Sequence, residues 1–368
     1  MSLFHNLELR SRRAETARAV VLEFALPESA REAFRGAPGQ HVVLRATIDG
    51  ADLRRTYSVH EHSADAFRIC VRSDGAGRMS GWLAKAQPGQ RIQVMPPTGR
   101  FSLPAGEPGG RLLFITAGIG ITPVLALLRE ALISRPDCRV TLLYGNRSTG
   151  TTVFAEELQA LKDRFPQRLG LHFFMSREPQ DIALYDGRLD GARIGDLART
   201  AFDPRALTAV YLCAPEALMQ EASRALQGLG VESSRIHLEH FVKAAAAQSA
   251  TSGPVHATAA AASPASPATV PAEGITRVTV RMDGRVRSFE MPRAGTVSVL
   301  EAAEAAGLDL PYACKGGVCS TCRSHLLRGQ ANMMQNYALE ESEVAAGYIL
   351  TCQAIPASDE IELDYDTG

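Results

Sequence analysis

The chain has 368 residues, a formal net charge of −1 and 45% hydrophobic residues. That length suits two or three domains of roughly 100–200 residues each, and the ordinary apolar share excludes global disorder. The near-zero charge leaves no electrostatic footprint for nucleic acid or an anionic membrane, and no stretch approaches the ~18 uninterrupted apolar residues of a membrane span.

Charge is nevertheless uneven. Residues 1–242 hold 30 Lys and Arg against 26 Asp and Glu, whereas residues 274–368 hold 8 against 13. Opposite signs suggest that the two ends meet each other, or that the acidic end meets another protein. Arg10, Arg12 and Arg13 precede a short apolar run that Glu23 interrupts, so the start does not read as a signal peptide. A cytoplasmic protein with reduced thiols is expected. Four of the seven cysteines crowd residues 314–368, which points to metal rather than disulfides.

Residues 1–105 carry short β-type runs, Val20–Leu26, His41–Ala46, Phe67–Arg72 and Arg91–Val94. Turn signals such as Pro38-Gly39 and Pro88-Gly89 separate them, predicting an antiparallel barrel. Arg54-Arg55-Thr56-Tyr57-Ser58-Val59 lies among these strands and, alone, also fits a solvated edge strand. Its company raises it: Gly77-Arg78-Met79-Ser80 opens a short helix. Backbone N–H groups at a helix N-terminus favour a pyrophosphate, and an arginine adds a charge-assisted clamp.

From Arg111 to residue 242 the style changes to strand–helix alternation: LLFITAG, PVLALLREAL, VTLLYGN, FAEELQALKDRF. Unalternated apolar runs between amphipathic helices predict a parallel sheet covered on both faces. Thr116-Ala117-Gly118-Ile119-Gly120-Ile121-Thr122-Pro123 follows the first of these strands and opens a helix. Glycines there let a dinucleotide pyrophosphate approach the backbone, although such turns also carry glycine for packing alone. Arg147 and the pair Ser176-Arg177 close the next two strands, at the ends where open α/β sheets bind ligands. Guanidinium and hydroxyl donors suit a 2′-phosphate; the alternative is ordinary surface arginine.

Residues 243–273 are rich in Ala, Pro and Ser and nearly uncharged, predicting a flexible linker. After it, RVTVRMDGRVRSFEMP reads as two strands around an Asp283-Gly284 turn. A helix over Ser298–Ala306, a cysteine-rich loop and a closing strand over Glu360–Tyr365 complete residues 274–368. Cys314-x4-Cys319-x2-Cys322, with Cys352 beyond, matches plant-type 2Fe-2S ligand spacing. Gly316 and Gly317 sit inside that loop and let the backbone wrap the cluster. The alternatives are zinc, which usually takes two tight Cys/His pairs, and unligated core cysteine. Cys70 and Cys138 read as small core hydrophobes.

The chain resembles the ferredoxin–NADP reductase superfamily extended by a plant-type ferredoxin domain, and is most similar to the reductase subunits of phenylacetyl-CoA epoxidases. The resemblance runs through Phe4-His5-Asn6-Leu7, Leu53–Ser58, Leu310–Cys319, Asn336–Glu340 and Ala345–Tyr348. It implies a multidomain protein: an antiparallel β-barrel flavin domain (1–105), an α/β parallel-sheet nicotinamide domain (106–242), the linker, and a β-grasp α+β ferredoxin domain (274–368). By resemblance Arg55 takes flavin phosphate, Tyr57 lies against the flavin ring and Ser58 sits near its N5, with Gly77, Arg78, Met79 and Ser80 at the pyrophosphate. Thr116, Gly118, Gly120, Thr122 and Pro123 form the nicotinamide turn, while Ser176 and Arg177, with Tyr185, resemble the family's NADP-selecting trio; Arg147 remains a cofactor-binding candidate from its place at a strand end. Cys213 stands near the nicotinamide, although Ala214 departs from the family's glycine there. Glu239 and Phe241 form the flavin-facing end. Cys314, Cys319, Cys322 and Cys352 hold the cluster.

The implied cofactors are FAD, a 2Fe-2S cluster and NADPH, with FMN and NADH left open. The implied partner is the oxygenase component of a multisubunit epoxidase. The resemblance implies that this component is a di-iron protein acting on phenylacetyl-CoA; this chain lacks Glu-x-x-His pairs typical of a di-iron bundle, so it is not expected to bind O₂ productively or to touch the aromatic substrate. A Rieske-type oxygenase or a hybrid-cluster protein are alternative acceptors, and a redox-sensing iron–sulfur module is the alternative of another class. Acidic residues of the ferredoxin part (Glu340, Glu341, Glu343, Asp359, Glu360, Glu362) are candidates for docking on basic surfaces.

Overall fold

The computed structural model describes residues 4–75, 77–104, 109–241, 274–293 and 295–367, and the backbone of 255–258. The chain divides into two compact units, Phe4–Phe241 and a second one formed C-terminal to it.

The first unit begins with β1 (His5–Thr16), β2 (Ala19–Ala25), the short helix α1 (Glu28–Arg31), β3 (His41–Ile48), β4 (Ala51–His62), β5 (Ala66–Arg72), α2 (Arg78–Leu83) and β6 (Arg91–Thr98). The six strands close into a barrel in the order β1-β2-β5-β4-β3-β6, every pair antiparallel. The four apolar runs of the sequence fall on β2, β3, β5 and β6. β1 and β4 are strands that charge conceals. β1 buries only Leu7 and Leu9, and its Arg10 pairs outward with Asp65 at 2.9 Å. Inside, Phe24, Phe34 and Phe67 stack at 5.2 and 5.7 Å between ring centres.

The chain then alternates: β7 (Gly110–Ala117), α3 (Ile121–Ser134), β8 (Cys138–Asn146), α4 (Ala155–Arg164), β9 (Leu169–Met175), α5 (Gly191–Leu197), β10 (Ala209–Cys213), α6 (Glu216–Gly228) and β11 (Ile236–Leu238). These strands form a parallel sheet ordered β11-β10-β7-β8-β9. Succession runs outward from β7 through β8 to β9, then returns to β10 on its other side. The crevice at such a reversal, beyond the carboxyl ends of β7 and β10, is where open α/β sheets bind ligands. Helix α3 is buried from Ile121 through Leu128, because it packs on both β4 of the barrel and β8 of the sheet. Arg129 Nη1 donates to the His60 carbonyl at 3.0 Å and Phe154 N donates to Glu15 Oε1 at 2.8 Å, fixing barrel and sheet together. Cys70 and Cys138 are buried in this core, as expected.

The second unit comprises β12 (Val255–Thr258), β13 (Ile275–Met282), β14 (Arg285–Pro292), α7 (Val299–Ala305), β15 (Arg323–Arg328), β16 (Gln330–Met333), α8 (Glu341–Ala345), β17 (Tyr348–Leu350), β18 (Ala354–Pro356) and β19 (Glu360–Asp364). A mixed sheet, β14-β13-β19-β15-β17, carries α7 in the β-grasp manner, beside a small sheet β12-β16-β18. Asp283 and Gly284 both take positive φ, 53° and 68°, as the primed hairpin turn requires. Ser298 and Glu301 close a reciprocal capping box on α7. Most of the stretch read as a linker, 243–273, lies outside the described residues. Within it, the backbone of 255–258 pairs antiparallel with β16. Among the described residues no helix is long and apolar enough to cross a membrane.

Candidate functional site

Arg55, Tyr57 and Ser58 lie along β4 opposite Leu44, Val42 and His41 of β3. The two-residue period puts Arg55 and Tyr57 on one face and Ser58 on the other. Arg55 Nη1 donates to the Arg54 carbonyl at 2.7 Å, and the buried Arg54 lies over the Phe4 ring at 5.4 Å. Burial pushes the Tyr57 phenol up, opposed by the neighbouring Arg55 charge. Ser58 Oγ is buried and has no hydrogen-bond partner among the described residues. An unpaired buried hydroxyl costs about 1–3 kcal/mol, so this atom fits a bound polar group such as a flavin ring nitrogen.

The turn before α2 is less open than expected. Ser80 Oγ donates to the Gly77 carbonyl at 3.2 Å, and Met79 is buried in the barrel core. Arg78 donates to the Ile48 carbonyl and lies 3.5 Å from Asp49, so it braces the β3–β4 turn.

At the sheet's reversal point the glycines are steric necessities. Gly118 takes φ +56°, and a Cβ on Gly120 would lie 2.0 Å from the Cys213 carbonyl oxygen. Thr116 Oγ1 donates to that same oxygen at 2.7 Å, and Thr122 Oγ1 donates to the Ile119 carbonyl at 3.0 Å. Pro123 is buried in the first turn of α3, where a missing N–H costs little. Thr116, Thr122 and Pro123 therefore shape the turn, and what it presents to a ligand is backbone. Arg72, at the end of β5, places Nη1 2.9 Å from where a Gly118 Cβ would stand. The sequence reading passed over Arg72; its signal is an exposed cation at a strand end just before the Asp74-Gly75 turn.

Ser176 N donates to the Asn146 carbonyl at 2.9 Å and Arg177 N to the Arg147 carbonyl at 2.8 Å, so β8 and β9 leave the sheet side by side. Arg147 and Arg177 are both exposed. Glu178 is turned away to Thr149, accepting from its N at 2.8 Å and its Oγ1 at 2.7 Å, bonds that hold the carboxyl low. Tyr185 does not join the arginines through its hydroxyl, which lies 2.9 Å from His172 Nδ1, while its ring packs edge-on against Phe174.

Barrel and sheet meet at Glu239. Its N donates to the Leu212 carbonyl at 2.9 Å, and its Oε1 lies 3.8 Å from Nδ1 of His41, the strand partner of Ser58. Burial pushes the Glu239 carboxyl up to about 8. Burial also pushes the Cys213 thiol far up, and the Glu239 charge adds to that shift. Cys213 is thus a neutral packing group. His41 carries no sequence signal beyond a lone histidine in an apolar strand. Phe241 is 44% exposed at the end of the unit.

In the second unit the four cysteine sulfurs converge. Cys314 contacts Cys319 and Cys352, and Cys352 contacts Cys322, so the four sulfurs form one continuous chain. Gly316 N donates to the Cys314 sulfur at 3.3 Å. These hydrogen bonds hold Cys314 far below an ordinary thiol and push Cys319 and Cys352 well above one. A cationic centre would offset that rise at Cys319 and Cys352. Among the described residues no three His, Cys, Asp or Glu side chains converge on a single ion. Four sulfurs strung along such a chain fit a two-iron centre, whereas a mononuclear zinc needs all four on one point. Gln353, which sequence reasoning missed, is buried beside Cys352 and donates to the Lys315 carbonyl at 3.0 Å.

A barrel edge suited to a flavin and a four-sulfur cage suited to a one-electron cluster, carried on one polypeptide, define a class: electron-transfer flavoprotein oxidoreductases with an iron–sulfur centre. Residues 6–103 match the oxidoreductase FAD-binding domain, 114–224 the oxidoreductase NAD-binding domain and 280–357 the 2Fe-2S iron-sulfur cluster binding domain. The chain is 38% identical to a component of the 1,2-phenylacetyl-CoA epoxidase of Escherichia coli K12, over 100% of this chain and 99% of that one. It is 31% identical to the 3-ketosteroid-9-alpha-monooxygenase ferredoxin reductase component of Rhodococcus rhodochrous, over 95% and 94% of the two chains. Its fold is like that of phthalate dioxygenase reductase, with a TM-score of 0.58 over 98% of each chain at 22% identity. The chain belongs to the family of FAD- and 2Fe-2S-containing reductase subunits of multicomponent oxygenases, which carry electrons from a pyridine nucleotide through FAD and the cluster.

Proposed function

We propose that this protein is the reductase subunit of a phenylacetyl-CoA epoxidase and that it draws its electrons from NADPH. The observation that carries the partner is the end-to-end similarity to the Escherichia coli epoxidase component. When bound, FAD accepts a hydride and releases electrons singly, which matches a two-electron donor to a one-electron cluster. Arg55 would hold flavin phosphate, Tyr57 would lie against the ring, and the unpartnered Ser58 Oγ would supply a hydrogen bond to a ring nitrogen. The backbone of Gly118–Gly120, with Arg72 above it, seats the dinucleotide pyrophosphate. Thr116 and Cys213 keep that turn against β10, and Glu239, with His41 behind it, closes the flavin side. Cys314, Cys319, Cys322 and Cys352 would hold the cluster.

The preference for NADPH over NADH rests on Arg147 and Arg177. They emerge side by side with Glu178 turned away, a pair of cations suited to a 2′-phosphate. We divide the chain at residues 105, 242 and 273 and place it in the cytoplasm, where thiols such as Cys70, Cys138 and Cys213 stay reduced.

The test is reconstitution. The purified reductase, with NADPH and the oxygenase component of a phenylacetyl-CoA epoxidase, should support substrate-dependent NADPH oxidation and epoxide formation. Transfer to a 3-ketosteroid monooxygenase with none to the epoxidase would replace the proposed partner.

A further inference from the structure

We propose that Gln353 is a positioning residue for the iron–sulfur centre. Its buried amide ties the turn bearing Cys352, between β17 and β18, to the loop bearing Cys314 and Cys319, and aims an N–H at the Cys352 sulfur. The inference rests on the reading that these cysteines hold a 2Fe-2S cluster.

Gln353 is 4% exposed, and a primary amide is costly to bury unless its donors are used. Its Nε2 lies 3.0 Å from the Lys315 carbonyl, 3.0 Å from the Cys352 carbonyl and 3.7 Å from the Cys352 sulfur. With two hydrogens for three acceptors, one serves Lys315 and the other is shared between the carbonyl and sulfur of Cys352.

The Lys315 carbonyl needs such a partner. Lys315 takes φ +52° and Gly317 φ +74°, a left-handed path unusual for lysine. That path turns the loop around the sulfurs. The stem of Gln353 also lines the loop, since a Cβ on Gly317 would lie 3.2 Å from Gln353 Cγ.

The residue on the other side of Cys352 performs a matching task at the loop's far end. Thr351 Oγ1 lies 3.1 Å from the Cys322 carbonyl and 2.7 Å from the Tyr365 hydroxyl, and Thr351 N donates to the Cys322 carbonyl at 3.1 Å. The fourth ligand is thus stapled to both ends of the loop that supplies the other three. Only the Gln353 staple reaches a sulfur.

That difference separates tuning from packing. An N–H aimed at a cluster sulfur stabilises the more negative reduced state and raises the reduction potential. Gln353→Met keeps length and bulk without a donor, Gln353→Glu keeps the shape and replaces the donor with an acceptor, and Thr351→Val loosens the other end without touching sulfur.

The experiment compares full-length proteins by spectroelectrochemical titration of the cluster and by the half-time of iron release to a chelator. Gln353→Met should lower the equilibrium constant for one-electron reduction about tenfold, a shift of about 59 mV to more negative potential. Gln353→Glu should move it further in the same direction. Both should release iron at least fivefold faster, with flavin content and ferricyanide reduction unchanged. Thr351→Val should speed iron release and leave the potential in place.

A Gln353→Met protein with wild-type potential and wild-type iron release overturns the inference, as does a Thr351→Val shift equal to that of Gln353→Met. Loss of cluster assembly in both Gln353 variants, with flavin retained and Thr351→Val loaded normally, supports it. Wild-type protein without 2Fe-2S absorbance would instead overturn the underlying reading of the cysteines.

Discussion

Gly120 faces Cys213 so closely that a single methyl group on it would fall 2.0 Å from the Cys213 carbonyl oxygen. The obstacle is backbone, held in place by Thr116 Oγ1 and by the pairing of β10 with β7, so it cannot yield as a side chain would. Gly120→Ala should force the turn away from β10 and raise the KM for nicotinamide at least tenfold in ferricyanide reduction, with flavin content preserved. Gly118→Ala meets only the mobile end of Arg72, and its cost comes chiefly from φ +56°. Its KM should rise less than that of Gly120→Ala; the reverse order would show that the turn is set by Arg72.

Arg147 and Arg177 make a second prediction, about selectivity. A charge-assisted hydrogen bond contributes about 1.5–3 kcal/mol. Arg177→Ala should therefore raise the KM for NADPH roughly 10–100-fold and leave the KM for NADH within about twofold, on the same magnitudes. Arg147→Ala should act in the same direction. Steady-state kinetics with both nucleotides checks this. Equal losses for the two would move these arginines from the 2′-phosphate to a contact that both nucleotides share.

What the sequence made legible follows from the range of each interaction. The apolar runs of β2, β5 and β7 and the buried stripe of α3 are local patterns, and so is the spacing of Cys314, Cys319 and Cys322. Each was readable because neighbours along the chain are neighbours in space. β1 was hidden because its arginines point to solvent and find acidic partners such as Asp65, 55 residues away. Gln353, His41 and Arg72 were invisible for the same reason, since each acts on a residue at least 38 positions distant. Tyr185 shows the converse. Its place near Ser176-Arg177 was legible, but the bond that occupies its hydroxyl comes from His172, on the strand before.

Ser58 separates function from stability. Its hydroxyl is buried without a protein partner, so Ser58→Ala removes an unsatisfied group and should not destabilise the flavin-free protein. The same change should slow flavin reduction by NADPH about tenfold or more, in line with the loss of one directed hydrogen bond of about 1–2 kcal/mol. Stopped-flow bleaching of the flavin and thermal melting of the apoprotein read the two effects separately. A lower melting temperature with normal flavin reduction would make Ser58 a structural residue.

Glu239 gives the last prediction a sign as well as a size. Its carboxyl rises from an ordinary 4.5 to about 8 because the site is buried, with His41 at 3.8 Å and the neutral Cys213 thiol beside it. Between these values the unfolded chain has released a proton that the folded protein keeps. The native state therefore binds more protons, and stability must fall as pH rises through this window, by roughly 1.4 kcal/mol per pH unit at most. Below pH 4.5 the stabilising proton is present in both states, and above pH 8 the loss is complete. Glu239→Gln mimics the protonated form at every pH, so its flavin-release midpoint in urea should match wild type near pH 4 and exceed it at pH 8. Parallel pH profiles for the two proteins would mean that Glu239 ionises as freely folded as unfolded, and that the barrel–sheet junction around it admits water.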